Sequence, residues 1–328
     1  MTPPSNSADV LERKEQILAP LDPERYTALM RLVAAPQHRV VASFGGGSVP
    51  GLCGNLAFGK ILEELGIDAH VDEVWGTSAG AAIGGPWASG TPIDRVYESV
   101  ASLNRKGSVD VPWVRLAIAL LLKPFGHKLP NGLIRGENFA RAIDSALTAK
   151  TFEDCPRPFR CIACTDDGRC MRKVFRRGPL LSAIFQSMSI PGIVIPRQPD
   201  GEKTGFYDGG LVEKTPLISP IAEHNRRHPD KKLILIGTHF GNDPRPSAAS
   251  GFLMRFLVSI NALENLAWEY QIREVRETPN VDLLILNPRI DDPALFDFSR
   301  VERNYLRARE VLSDTLQNAK LALAFGVR

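Results

Sequence analysis

Long apolar runs, a surplus of either charge and an even set of cysteines are all missing from this sequence, and each absence removes a class of protein. The longest apolar stretch, Val109 to Leu122, is interrupted by Asp110, Pro112 and Arg115. It falls short of the ~20 apolar residues that a spanning helix needs, so no transmembrane segment is expected. Lys and Arg number 40 against 37 Asp and Glu, a net charge of +3, and this balance gives no reason to expect a nucleic-acid partner. The five cysteines, Cys53, Cys155, Cys161, Cys164 and Cys170, are an odd number. The amino-terminal MTPPSNSADVLERKEQ lacks the basic-then-apolar-then-small order of a secretory signal. Free thiols in a reducing compartment, and hence a cytoplasmic protein, are the expectation.

What is present is an ordinary globular composition, 44% hydrophobic and 23% charged over 328 residues, enough to bury a sizeable core. Residues 1–36 carry helical periodicity (Leu11, Ile17, Leu18, Leu21, then Leu29, Met30, Leu32, Val33) broken by Pro20 and Pro23, and read as a helical N-terminal extension. Residues 37–328 read as one α/β domain. A β-rich run, Arg39 to Phe44, ends at Gly45-Gly46-Gly47 and leads into helical spacing from Leu52 to Leu65; Val71 to Trp75 leads in the same way into GTSAGAAIGG. Repeated strand-turn-helix units predict a mainly parallel sheet covered by helices, with chemistry at the carboxyl ends of its strands. Further strands are predicted over 160–165, 173–176, 232–237 and 281–286, and helices over 136–149, 180–188, 253–277 and 301–324. Pro/Gly-rich stretches near 104–113, 123–133, 196–206 and 241–251 read as loops around a site.

Three short motifs carry chemistry. Gly76-Thr77-Ser78-Ala79-Gly80 is a G-x-S-x-G between a predicted strand and a predicted helix, where a tight turn exposes a serine hydroxyl and Gly76 and Gly80 let the turn form. Gly45, Gly46 and Gly47 present bare backbone N–H groups that can cradle an anion, either a phosphate or the oxyanion of a tetrahedral intermediate. Neither G-x-G-x-x-G nor the lysine-containing phosphate loop is completed there, because Ser48-Val49-Pro50-Gly51 follows. Tyr207-Asp208-Gly209-Gly210 puts a carboxylate on a glycine turn, either as an ordinary Asp-Gly turn or as the base that takes a serine proton.

In this order the motifs resemble the patatin-like phospholipase family. The stretches LAFGKILEELGI, VDEVWGTSAGAAIGGPWASG, RGPLLSAIFQSMSIPGIVIP and YDGGLVEKTPL extend the resemblance over roughly residues 39–220. It implies a three-layer α/β/α fold with a mainly parallel central sheet, and lipid acyl hydrolysis by a Ser-Asp dyad. Ser78 would be the nucleophile, Asp208 the base, the Gly45 to Gly47 backbone the oxyanion hole, and Gly209 and Gly210 the turn of the base. Such chemistry calls for no metal and no cofactor. A phospholipid or other acyl-lipid is the implied substrate, met at a transient, peripheral membrane contact, and an unknown activator is left open as a partner. The chain departs from the family at Val49 and Pro50, where a basic residue commonly stands. Acyl transfer by the same dyad, and a catalytically weak lipid-binding or regulatory module, are the alternatives.

Weaker signals surround these. His239, after the predicted strand KLILIGT, is the best placed histidine for a Ser-His-Asp triad. The spacing of Cys155, Cys161, Cys164 and Cys170 lacks paired CxxC knuckles, and packed thiols are favoured over zinc. Arg169, Arg172, Lys173, Arg176 and Arg177 form a basic run that reads as a solvated hairpin or an anchor to anionic lipid. The apolar side chains from Trp113 to Phe125, and Phe252, Leu253, Met254, Phe256 and Leu257, suit either core packing or contact with lipid.

Overall fold

The computed structural model describes residues 7–106, 132–196, 205–241, 251–290 and 297–324. A seven-stranded sheet forms its centre: β1 (His38–Phe44), β2 (Val71–Thr77), β3 (Phe159–Thr165), β4 (Arg172–Phe175), β5 (Phe206–Asp208), β6 (Lys232–Thr238) and β7 (Val281–Leu286), in the order β4-β3-β2-β1-β6-β7 with β5 also on β3. The pairs β1–β2, β1–β6, β2–β3 and β6–β7 are parallel, and β4 and β5 run antiparallel to β3. The α/β architecture with a mostly parallel sheet and helices on both faces is therefore as expected.

Alternation along the strands makes the layers. Val40, Ala42 and Phe44 of β1, with Ile234 and Ile236 of β6, face a large core. That core is covered by α2 (Thr27–Val33), α3 (Ser48–Glu64), α4 (Ala79–Ala88), α5 (Ile93–Lys106) and, further on, α6 (Glu137–Ala146) and α7 (Leu180–Ser187). Val41, Trp75, Ile162, Leu233 and Leu235 face a smaller core on the other side. There α8 (Gly210–Glu213), α9 (Ile218–Arg227) and α10 (Phe252–Arg276) lie. Tyr305, Leu312 and Leu316 of α11 (Val301–Ala324) join the large core, along the predicted stripe.

Helices α5 and α9 were not expected, although α5 places buried Ile93, Val96, Val100 and Leu103 at helical spacing. The third helix begins at Ser48 rather than Leu52, because Pro50 falls in its first turn, where a missing N–H leaves no bond unmade. Tyr207 and Asp208 belong to a short strand, not to a free turn. At the amino-terminal side, α1 (Ser7–Leu18) stops before Pro20. The buried guanidinium of Arg309 ties its end to the fold, donating to Ile17 O at 2.6 Å, Ala19 O at 3.0 Å and both oxygens of Glu64 at 2.8 and 2.7 Å.

Among the described residues no helix is long and apolar enough to cross a membrane. The apolar segment Trp113 to Phe125 and most of the loop stretches around 104–113, 123–133, 196–206 and 241–251 lie outside the described residues, as do the side chains of Phe252, Leu253 and Met254.

The direction of the chain changes at β1, which has β2 on one side and β6 on the other. The helices that follow these two strands, α3 after β1 and α10 after β6, lie on opposite faces of the sheet, an arrangement that opens a crevice at its carboxyl edge. The three predicted motifs end up around it.

Candidate active site

Ser78 is the single residue between the end of β2 at Thr77 and the start of α4 at Ala79. Its backbone angles, φ 53° and ψ −122°, are unusual for a residue with a side chain; such a conformation costs about 1–3 kcal/mol and persists only where its surroundings impose it. The surroundings do. Ser78 N–H donates to Ser187 Oγ at 2.8 Å, and Ser78 O accepts Ala82 N–H at 3.1 Å. A methyl group on Gly80 would collide with the Phe44 carbonyl, and one on Gly76 would come within 2.7 Å of Ala81 Cα. The glycines flanking the serine are thus demanded by the closeness of α4 to β1 and to its own strand.

Asp208 arrives from the opposite direction on the same template. β2 pairs with β3 as far as Thr77 against Ile162, and β5 ends with Asp208 against Ala163, the next residue of β3. Asp208 N–H donates to Ser189 O at 3.0 Å and Gly209 N–H to Ser187 O at 3.1 Å. Ser78 Oγ–H then donates to Asp208 Oδ2 at 2.6 Å, and Gly210 N–H to Asp208 Oδ1 at 2.7 Å. The carboxyl is buried. Loss of hydration, and next the negative charge of Glu264, push it up to about 7, while the bonds from Ser78 and Gly210 and the charge of Lys214 pull against them. A group with that proton affinity can take and return a proton near neutral pH.

The glycine loop runs from β1 into α3 and is held by a closed ring of bonds. Gly45 N–H donates to Thr238 Oγ1 at 3.1 Å, Thr238 Oγ1–H to Asn55 Oδ1 at 2.6 Å, and Asn55 Nδ2–H to Gly45 O at 2.8 Å. Gly46 N–H donates to Lys214 O at 2.8 Å. The first two amides of the loop are therefore committed to shaping it. Those of Gly47 and Ser48 have no acceptor among the described residues, and both residues line the Ser78 pocket. The oxyanion expectation thus narrows from Gly45, Gly46 and Gly47 to the amides of Gly47 and Ser48. The amino termini of α3 and α4 converge here, and their dipoles favour negative charge.

Two recesses meet at Ser78. One, the more polar of the two, is mixed: Gly47, Asp208, Lys214, Asn261 and Glu264 share it with Pro191, Leu211, Leu257 and Ile260. The other is apolar, lined by Leu52, Phe139, Phe185, Met188, Val194 and Phe298. Ser48, Ser78 and Ile190 belong to both.

The remaining candidates fall elsewhere. His239 stacks on Trp268 with ring centroids 3.6 Å apart, and its Nδ1 lies 3.1 Å from Thr215 Oγ1. Burial drives its proton affinity down to about 3, so the ring is neutral. Ser78 bonds directly to Asp208, with no imidazole between them. Cys161 and Cys164 are buried in β3, and burial raises both thiols to about 12. Arg172 of the basic run turns inward to Glu213 Oε2 at 2.7 Å, and Arg176 lies 3.8 Å from Glu223.

Several residues that hold this geometry carry no motif. Ser187 joins the serine turn, β3 and the base turn, since its Oγ–H donates to Ile162 O. It stood inside the quoted stretch RGPLLSAIFQSMSIPGIVIP but read as a helix end. Asn55, a polar residue among the buried apolar side chains of α3, offered a signal by its oddness; Lys214 stood inside the stretch YDGGLVEKTPL with nothing to mark its role, and Glu264 offered no signal.

A family model described as patatin-like phospholipase matches residues 43–221. Among curated proteins, an uncharacterized NTE family protein of Mycobacterium tuberculosis is 29% identical over 240 residues, 72% of this chain and 60% of that protein. Lysophospholipase NTE1 of Saccharomyces cerevisiae is 23% identical over 321 residues, 91% of this chain and 18% of that protein. The chain thus spans about 60% of the length of the mycobacterial relatives. Among solved structures, human GIVD cytosolic phospholipase A2 is similar at a TM-score of 0.44 with 11% identity, covering 98% of this chain and 67% of that one.

Proposed function

This chain belongs to the patatin-like phospholipase family, and from that premise we propose that it is a serine lipid acyl hydrolase in which Ser78 is the nucleophile and Asp208 the base. The observation that carries the reading is the 2.6 Å bond from Ser78 Oγ to Asp208 Oδ2 at a strained strand-helix junction, where two helix amino termini meet.

Asp208, as carboxylate, takes the hydroxyl proton while Ser78 Oγ forms a bond to the ester carbonyl carbon. The negative charge that develops on the carbonyl oxygen is stabilised by the amides of Gly47 and Ser48 and by the helix dipoles. As the C–O bond to the alcohol breaks, Asp208 returns the proton to the departing oxygen, leaving an acyl-serine. Water then attacks, giving its proton to Asp208, and the acid leaves as Ser78 Oγ regains that proton. The apolar recess takes the acyl chain and the polar recess the alcohol side.

A lysophospholipase-type or phospholipase A substrate is favoured because relatives are named lysophospholipases and because the apolar recess opens directly onto Ser78. A transient contact with a lipid surface belongs to the same reading. Phe256, Leu263, Leu266 and Tyr270 expose apolar surface along α10, the helix whose other side lines the polar recess.

The test is fatty-acid release from mixed phospholipid, lysophospholipid and neutral-lipid vesicles by wild type, Ser78→Ala and Asp208→Asn, read by mass spectrometry, with covalent labelling by a fluorophosphonate alongside. Wild type is expected to release acid, with both variants lowered by about a thousandfold or more while folded. Full activity in Ser78→Ala would sink the assignment. Vesicle binding without labelling or release would favour a lipid-binding module, and acyl esters formed on an added alcohol would favour transfer.

A further inference from the structure

Gly210 separates two carboxylates. A methyl group in place of its hydrogen would lie 2.7 Å from Glu264 Oε1 and 3.1 Å from Asp208 Oδ1, so the two acids face each other across one α-carbon. The second oxygen of Glu264 lies 3.2 Å from Lys214 Nζ, and the pair is largely withdrawn from solvent, with side chains 16% and 4% exposed. The ammonium also donates to Asn261 Oδ1 at 2.7 Å and Asn265 Oδ1 at 3.4 Å. One face of α10 therefore supplies three acceptors, at 261, 264 and 265, to a single buried lysine. At its other end Lys214 holds the glycine loop, through its carbonyl and Gly46 N–H. The arrangement sets a negative and a positive charge beside Asp208 among largely buried side chains, where charge interactions are less screened than at the surface.

We propose that Glu264, braced by Lys214, is a positioning residue that sets the proton affinity of Asp208 and thereby the pH range of the site. This rests on the reading of Asp208 as the base. The other groups facing Asp208 leave that role to the pair. From the turn after β2 comes the Ser78 hydroxyl, and from α8 the Gly210 amide. The chain leaving α7 meets this turn through the Ser187 and Ser189 carbonyls, both engaged with backbone N–H groups. From β3 come the thiols of Cys161 and Cys164, which stay protonated. Among the described residues, Lys214 and Glu264 are thus the charges that act on it, in opposite directions. Removing Glu264's charge lets Asp208 ionise more readily. Removing Lys214's charge makes ionisation harder, and also leaves Glu264 without its partner.

The experiment is the pH dependence of kcat/KM on a soluble short-chain ester, p-nitrophenyl butyrate, for wild type, Glu264→Gln, Glu264→Asp and Lys214→Gln. The titration of the Asp208 carboxyl carbon is followed by NMR in the same proteins, with Asp208→Asn to assign the signal. The acidic limb is expected to move down by about one pH unit in Glu264→Gln and up by a similar amount in Lys214→Gln, as for a charge a few ångströms away. Glu264→Asp, which keeps the charge, should stay near wild type. Limbs and titrations that superimpose on wild type in Glu264→Gln overturn the proposal, whether or not kcat falls, because a merely structural role lowers rate without moving the limb. If Lys214→Gln does not fold, the Glu264 pair of variants still decides. If wild type hydrolyses no ester, the hydrolase reading fails by itself, and the NMR titration still tests the influence of Glu264.

Discussion

On one side of Ser78 stand Leu52, Phe185, Met188 and Phe298, and on the other Lys214, Asn261 and Glu264. The apolar wall is continuous with the large core: Leu52, Phe185 and Phe298 are buried, and packing alone fixes where they stand. The polar wall comes from α10 and, with Lys214, from the end of α8, on the thinner side of the sheet, and its largely buried partners satisfy one another. One wall is stabilised by being there. The other keeps a buried acid poised between two charge states, a condition that opposes stability and serves chemistry. Predictions that separate these contributions run from the frame shared by both walls to each wall in turn.

The largest effect is expected from Gly80→Ala. The added methyl group has no space against the Phe44 carbonyl, and backbone on both sides must shift to admit it. A loss of more than about 4 kcal/mol of stability is expected, of the order seen when backbone is forced apart in a core. Urea unfolding followed by circular dichroism measures it, and a midpoint unchanged from wild type would mean that α4 does not sit this close to β1.

The second effect separates chemistry from stability on the polar side. The Asp208 carboxyl is raised to about 7 in the fold, well above the ~3.9 of an unfolded aspartate. A group whose folded proton affinity is raised contributes its stability below the unfolded value and loses it as pH climbs through the folded one. Wild type should thus lose stability between about pH 4 and pH 7, by roughly 2–4 kcal/mol at full ionisation, at about 1.4 kcal/mol per pH unit. Asp208→Asn, which cannot ionise, should match wild type near pH 4 and exceed it at pH 8, although it is inactive. Thermal unfolding across this range is the measurement. A stability difference that does not change with pH would show that Asp208 does not titrate between these limits.

The contrast between the walls also explains what could be read before the fold was known. Ser78 and Asp208 were legible because local crowding dictates their glycine neighbours, and those glycines stand beside them in the chain. The same holds for the strands, whose alternation or apolar runs are local signals. β5 was hidden because three residues are too few to show a period and a Pro/Gly-rich stretch precedes them. Glu264 and Lys214 were illegible for a different reason. In ENLAWEY and EKTPL they look like ordinary solvated charges, and only the tertiary placement of α10 brings one against the other and both against the base. The narrowing of the glycine loop to Gly47 and Ser48 has the same origin, because the acceptors that engage Gly45 and Gly46 are Thr238 and Lys214, far away in sequence.

The smallest effect isolates the apolar wall. Val194, half-buried, lines the recess together with Leu52 and lies near Phe185 and Gly136. Val194→Trp fills space there while leaving Ser78, Asp208, Gly47 and Ser48 themselves unchanged. If the recess takes the acyl chain, kcat/KM of wild type should climb with chain length by up to about fourfold per added CH2, the equivalent of ~0.8 kcal/mol, until the recess is full. The variant should flatten that climb, losing about tenfold on dodecanoyl esters, a loss of roughly 1.4 kcal/mol, while butyryl esters change by less than about twofold. The pH profile should not move, because the substitution brings no charge and lies on the wall away from Glu264. Equal losses at every chain length would place the acyl chain elsewhere. A shifted acidic limb would mean instead that the two walls are coupled through Ser78, and that the apolar side also tunes the base.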